Sequence, residues 1–137
     1  MSQRSLEDFG DYRKARKLFD FAVADMRLVQ GDPLCFKLVS QQVSSADSIC
    51  ANIEEGHGRL GRAEYIRFLD FARGSARETR GRYLRMNHWF GEDVVLQRAA
   101  LADKVIGILT KTIERLRAEP GPAQTRGIRE EDADYGQ

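Results

Sequence analysis

Apolar residues recur at alternating steps of three and four along four stretches of the chain. Over 6–29 the stripe is Tyr12, Ala15, Phe19, Ala22, Met26 and Val29. Over 33–55 it is Phe36, Val39, Val43, Ala46, Cys50 and Ile53. Over 62–87 it is Tyr65, Leu69, Ala72, Ala76, Thr79, Tyr83 and Met86. Over 92–118 it is Val95, Ala99, Ala102, Ile106, Leu109, Ile113 and Leu116. That spacing keeps each stripe on one face of an α-helix, and no segment sustains the period of two that a strand needs. Punctuation falls between the stretches. Gly31-Asp32-Pro33 reads as a helix stop, an N-cap and a first-turn proline. Gly56, Gly58 and Gly61 break the second stretch from the third, and Gly91 breaks the third from the fourth. All three connections are short, so consecutive helices are expected to lie antiparallel. The pattern predicts an all-α, up-down-up-down four-helix bundle over 1–118.

Six apolar residues fall off these stripes: Leu18, Phe21, Phe71, Leu101, Val105 and Ile108. On a lone bundle they would leave exposed patches, which usually mark interfaces. A homo-oligomer is therefore expected. The small run Ser44-Ser45-Ala46-Asp47-Ser48 has two readings, close packing inside the bundle or a contact between subunits.

Composition narrows the class. With 137 residues the chain fits one domain, and its 42% apolar and 31% charged shares are ordinary for a globular protein. No apolar run reaches the roughly 18 residues of a membrane helix. The start, MSQRSLEDFG, lacks the apolar core of a secretory signal, so a cytoplasmic location is expected. Cys35 and Cys50 sit 15 residues apart in one predicted helix, about 22 Å by the α-helical rise. They cannot bridge within one chain and read as buried reduced thiols. Beyond Pro120-Gly121-Pro122 the periodicity ends, and 119–137 reads as an acidic disordered tail. There Arg126 and Arg129 stand against Glu119, Glu130, Glu131, Asp132 and Asp134, a balance of −3 within an overall +1, which leaves +4 on the body.

Searches for catalytic chemistry fail on spacing. Glu54-x-x-His57 resembles half of a di-iron site, but such bundles need the motif twice, and Arg85 stands three residues before His88, the other histidine. No metal site is expected. Cys50 lies on a core stripe. Gly-x-Ser-x-Gly and the phosphate loop are absent, and the Gly56–Gly61 glycines follow a helix, where a nucleotide loop would follow a strand. No catalytic residue and no cofactor are assigned.

The arginines are more informative. Between 59 and 85 there are eight, against Glu64, Asp70 and Glu78, a local balance of +5 with no lysine. At 100° per residue Arg62, Arg73, Arg77 and Arg80 would fall within about 60° of one another, a ridge beside the core stripe. Arg59 precedes that helix. Two readings stay open. The arginines could pair with Glu55, Glu78 and neighbouring helices or subunits. Alternatively the ridge could hold nucleic-acid phosphates, which demands charge and spacing more than base-reading chemistry.

Two segments resemble one family. They are Ala51-Asn52-Ile53-Glu54-Glu55-Gly56-His57-Gly58-Arg59 and Phe68-Leu69-Asp70-Phe71-Ala72-Arg73-Gly74-Ser75-Ala76-Arg77-Glu78-Thr79. Together they are similar to the four-helix bundle proteins encoded in intervening sequences of bacterial 23S rRNA genes, over about residues 6 to 117. The resemblance implies a left-handed bundle that assembles as a ring of five, with no established enzyme activity. Relatives include accessory proteins of diversity-generating retroelements, which bind nucleic acid and a reverse transcriptase. The matching positions are Asn52, Glu55, Gly56, Arg59, Arg73, Gly74, Ser75 and Glu78, structural as much as functional in that family. Cys50 departs from the family, which usually has proline there, and the body is less basic than the retroelement proteins. The combined expectation is a non-enzymatic homo-oligomer that binds RNA or DNA through Arg59, Arg62, Arg73, Arg77 and Arg80. The alternative is a protein-assembly module whose arginines make structural ion pairs.

Overall fold

The four amphipathic stretches fold as four helices in a computed structural model that describes Leu6 and residues 9–120. They are α1 (Gly10–Val29), α2 (Phe36–His57), α3 (Arg62–Arg85) and α4 (Glu92–Ala118). No strand occurs among the described residues. The expected disorder of the tail concerns residues 121–137, which lie outside the described residues. No described helix is long and apolar enough to cross a membrane.

The helix ends differ from expectation for local reasons. The Phe9 amide bonds back to the Leu6 carbonyl at 3.1 Å in a tight turn, so α1 starts at Gly10, later than 6. Asp32 accepts the Leu34 amide at 2.9 Å, and Pro33 opens a short 3-10 turn, Pro33–Cys35, before α2 proper. Asp32 also accepts the Trp89 indole N–H at 2.8 Å, which ties the α1–α2 turn to the α3–α4 turn. These two bonds hold its carboxyl below the usual range, the indole contributing most. At the other end Gly56 does not stop α2, which runs on to His57. A Cβ at Gly56 would sit 3.1 Å from Tyr65 Cδ1 and 3.3 Å from Phe68 Cβ. The glycine is there because α3 begins against it.

Each helix packs on the next, and α4 packs on α1. Contacts step in opposite directions along neighbours: Gln42 reaches Thr79 and Ser48 reaches Ser75 across α2–α3, while Arg80 reaches Asp103 and Arg73 reaches Thr110 across α3–α4. α2 and α3, and α3 and α4, thus run antiparallel. Leu18, Met26, Ile49, Ile53, Leu69, Tyr83, Met86, Val105, Leu109 and Ile113 fill the centre. Three assignments change. Leu18 and Val105, read as off-stripe, are fully buried, because the inward face of a globular helix is wider than a single seam. Phe36, read as core, is 79% exposed at the start of α2, before the bundle closes around it. Cys35 and Cys50 are free and buried, and burial pushes the Cys50 thiol up to about 12.

One buried polar cluster had no signal in the hydrophobic pattern. Asp25 of α1 accepts Arg98 Nε at 2.8 Å and Nη2 at 3.1 Å, and the Tyr83 hydroxyl at 2.7 Å. The Arg98 guanidinium also stacks 3.9 Å from the Phe21 ring centre. The cluster joins α1, α3 and α4. Burial and the bond to Asp25 push the Tyr83 hydroxyl well above its usual range, and the bond to Asp25 raises Arg98.

Candidate functional site

The predicted arginine ridge forms, and it lies along the edge of α3 that faces α4. Arg62 donates to the Glu119 carbonyl at 2.8 Å, where α4 ends. Arg73 donates to Asp70 Oδ1 at 2.7 Å and to Thr110 Oγ1 at 3.2 Å. Arg80 Nε is 2.7 Å from Asp103 Oδ1. Arg59 bonds Glu55 at 2.7 Å, lies 3.6 Å from Glu64, and covers the Phe68 ring at 4.8 Å. Four of the five candidates therefore have partners inside the chain. Arg77 is exposed and makes no ion pair or hydrogen bond among the described residues.

Arg82, counted in the same basic run, is buried between α2 and α3. It donates to Gln42 Oε1 at 2.8 Å and to Ser45 Oγ at 3.0 Å. Gln42 donates to the Thr79 carbonyl at 2.9 Å, and Ser45 shares a 2.7 Å bond with the Thr79 hydroxyl. The line continues with Ser75 donating to Ser48 at 2.9 Å and Asn52 donating to the Ser48 carbonyl at 2.8 Å. The small run of α2 thus divides: Ser45 and Ser48 build this polar seam, while Ser44 and Asp47 face solvent.

The two family-like segments meet at one place. Asn52, Gly74, Ser75 and Glu78 line a shallow groove between α2 and α3, together with Ser48, Asp70 and Phe71. Phe71 is 51% exposed there, and nothing lies within 4 Å of a Cβ built on Gly74. Glu55 and Gly56 are not in the groove; they serve the Arg59 pair and the α2–α3 contact. The half-motif Glu54-x-x-His57 is taken apart by packing. Glu54 accepts the Tyr12 hydroxyl at 2.6 Å, and His57 lies between the rings of Phe9 and Tyr65 at 4.5 and 5.4 Å. Burial lowers the His57 pKa. No group of three or more metal-ligating side chains occurs among the described residues.

A second cationic surface was missed by the sequence reading. Asp103 and Thr110 face α3, so Lys104 and Lys111 lie about 100° further round α4, on its outward side. Arg115 falls within about 40° of both. On the α1 side, Gly10 lies beside Ile108 and Asp25 beside Arg98. That register brings Lys14 and Lys17 to the level of Lys104. Lys17, Lys104, Lys111 and Arg115 are exposed and Lys14 half-buried. None of the five makes an ion pair or a hydrogen bond among the described residues. Between Lys104 and Arg115 the one acid of α4 is Glu114, turned about 60° away from Lys111 toward α3. Arg77 lies within about 60° of Arg73 and Arg80 on the α3 edge that faces α4. The signal was too scattered to read: two lysines in α1 and two in α4 are some ninety residues apart and form no run.

These features define an all-α bundle whose helices are joined by buried polar contacts and which carries an open groove and a cationic face. Residues 11–89 match the family model described as 23S rRNA-intervening sequence protein, and the chain belongs to that family. No curated protein matches the chain. Among solved structures it is similar to a protein of unknown function from the S23 ribosomal protein family of Bacteroides thetaiotaomicron. The TM-score is 0.71 at 20% identity, covering 75% of this chain and 97% of the other, a likeness of fold.

Proposed function

We propose that the bundle is a non-enzymatic nucleic-acid-binding protein that holds phosphates on the outward face of α1 and α4. The observation that carries this reading is the set of cations Lys14, Lys17, Lys104, Lys111 and Arg115, which make no ion pair or hydrogen bond among the described residues. The ridge arginines Arg62, Arg73 and Arg80, by contrast, would have to leave internal partners to reach a phosphate. Lys104 to Arg115 spans about 17 Å of helix, long enough to follow several phosphates of one strand. No base-reading device accompanies these cations, so binding is expected to be indifferent to sequence. Filter binding of a mixed-sequence RNA against salt tests this. Affinity at about 50 mM salt that falls as salt rises supports it; absence of binding there, or salt-independent binding, refutes it.

A second reading, a self-assembling module of up to five copies, is favoured by the exposed Phe71 over the α2–α3 groove. Light scattering on the wild type and on Phe71→Glu tests it. A multimer mass lost on substitution supports assembly through this groove; a monomer mass for the wild type refutes it.

A further inference from the structure

The cationic face has a candidate occupant within the same chain. Residues 121–137 follow directly from the end of α4, and Glu130, Glu131, Asp132 and Asp134 are concentrated in five positions of that segment. Arg62 holds the Glu119 carbonyl at 2.8 Å, which fixes the point of departure beside the start of α3. From Pro120, Arg115 lies about 7 Å back along α4, Lys111 about 13 Å and Lys104 about 24 Å. Ten residues of chain span at most about 36 Å, so the acidic cluster reaches all three. In the α2–α3 groove Asp70 and Glu78 would repel it.

We propose that the acidic cluster Glu130–Asp134 docks on Lys104, Lys111 and Arg115, occupying the face assigned above to phosphates and competing with them. The competition rests on the phosphate-binding reading; the docking itself does not. A tethered ligand acts at an effective concentration in the millimolar range, so even weak carboxylate–lysine pairs are populated at low salt. The contact is exposed and therefore screened as the Debye length shrinks from about 10 Å at 0.1 M salt to about 3 Å at 1 M.

Two measurements on the full-length chain test this. A spin label is attached at Tyr135→Cys, the two native thiols being buried. At about 50 mM salt the backbone amide signals of 104–115 are expected to broaden, to recover near 1 M, and not to broaden when Glu130→Gln, Glu131→Gln, Asp132→Asn and Asp134→Asn are combined with the label. Broadening elsewhere, none at all, or broadening that persists in the neutralised chain would overturn the docking. The same neutralised chain, unlabelled, is expected to bind RNA about tenfold more tightly at low salt, and an unchanged affinity would overturn the competition. A wild type and a neutralised chain that both fail to bind RNA refute the phosphate-binding reading instead, and the label result then stands by itself.

Discussion

The α3–α4 edge and the α1–α4 face both carry cations, in opposite circumstances. On the first, Arg62, Arg73 and Arg80 each meet an oxygen supplied three residues away or across the helix pair. On the second, Lys14, Lys17, Lys104, Lys111 and Arg115 meet none among the described residues. The difference teaches that a charge count along the sequence does not locate a binding surface. What matters is whether carboxylates and carbonyls stand at i±3, i±4 or across the interface. The long guanidinium forks suit fixed geometry, whereas compact ammonium groups on flexible stems suit a mobile polyanion.

The sharpest way to break the comparison is to remove an internal partner. Asp25→Ala would leave Arg98 buried without its counter-charge and Tyr83 without its acceptor. Loss of one member of a buried pair costs about 3–5 kcal/mol, and the unfolding free energy extrapolated from urea titration should fall by that amount. If the stability changes by less than about 1 kcal/mol, the cluster does not hold α1, α3 and α4 together.

Glycines give the next largest effect, with opposite signs at two sites. Gly56→Ala places a Cβ 3.1 Å from the Tyr65 ring and should destabilise by about 1–3 kcal/mol, despite the better helix propensity of alanine. At Gly107, on exposed α4, no heavy atom lies within 4 Å, so Gly107→Ala should stabilise by about 0.5–1 kcal/mol. Thermal unfolding of both variants checks the pair. Stabilisation at both sites would show that Gly56 is not required for the approach of α3.

The smallest effect is a pH dependence. Burial lowers the His57 pKa below its ordinary 6.5, so the unfolded chain takes up a proton before the folded one does. Stability from this group is therefore present above about pH 6.5 and is lost as pH falls through the lower folded value. His57→Phe, which keeps a ring between Phe9 and Tyr65, should flatten the stability profile between pH 7 and pH 5. Equal slopes in the two proteins would contradict this.

Much of the fold was legible because period 3.6 and helix punctuation are local. Asp32 and Pro33 were read as a helix start, and the structure shows the side-chain bond that makes one. Gly56 was misread because sequence shows a glycine's freedom and not the ring packed against it. Leu18 and Val105 were misjudged because a narrow seam is a poor template for a bundle core. The motif residues were visible, yet the convergence of Asn52, Gly74, Ser75 and Glu78 on one groove needed α2 and α3 in register. The ridge arginines were read as lying beside the core stripe, but their partners Thr110, Asp103 and the Glu119 carbonyl lie 23 to 57 residues away, beyond any local pattern. The lysine face was hardest, since it exists only once α1 and α4 are side by side.

Salt titration of RNA binding with two double variants tests the phosphate assignment most directly. Each cation in contact with single-stranded nucleic acid adds about 0.7 to the slope of log affinity against log salt. Lys104→Gln with Lys111→Gln should lower that slope by about 1.4, while Arg73→Gln with Arg80→Gln should leave the slope unchanged and lower the unfolding midpoint instead. The reverse pattern, a slope lost with the arginines and kept without the lysines, would contradict it and return the binding surface to the α3 ridge.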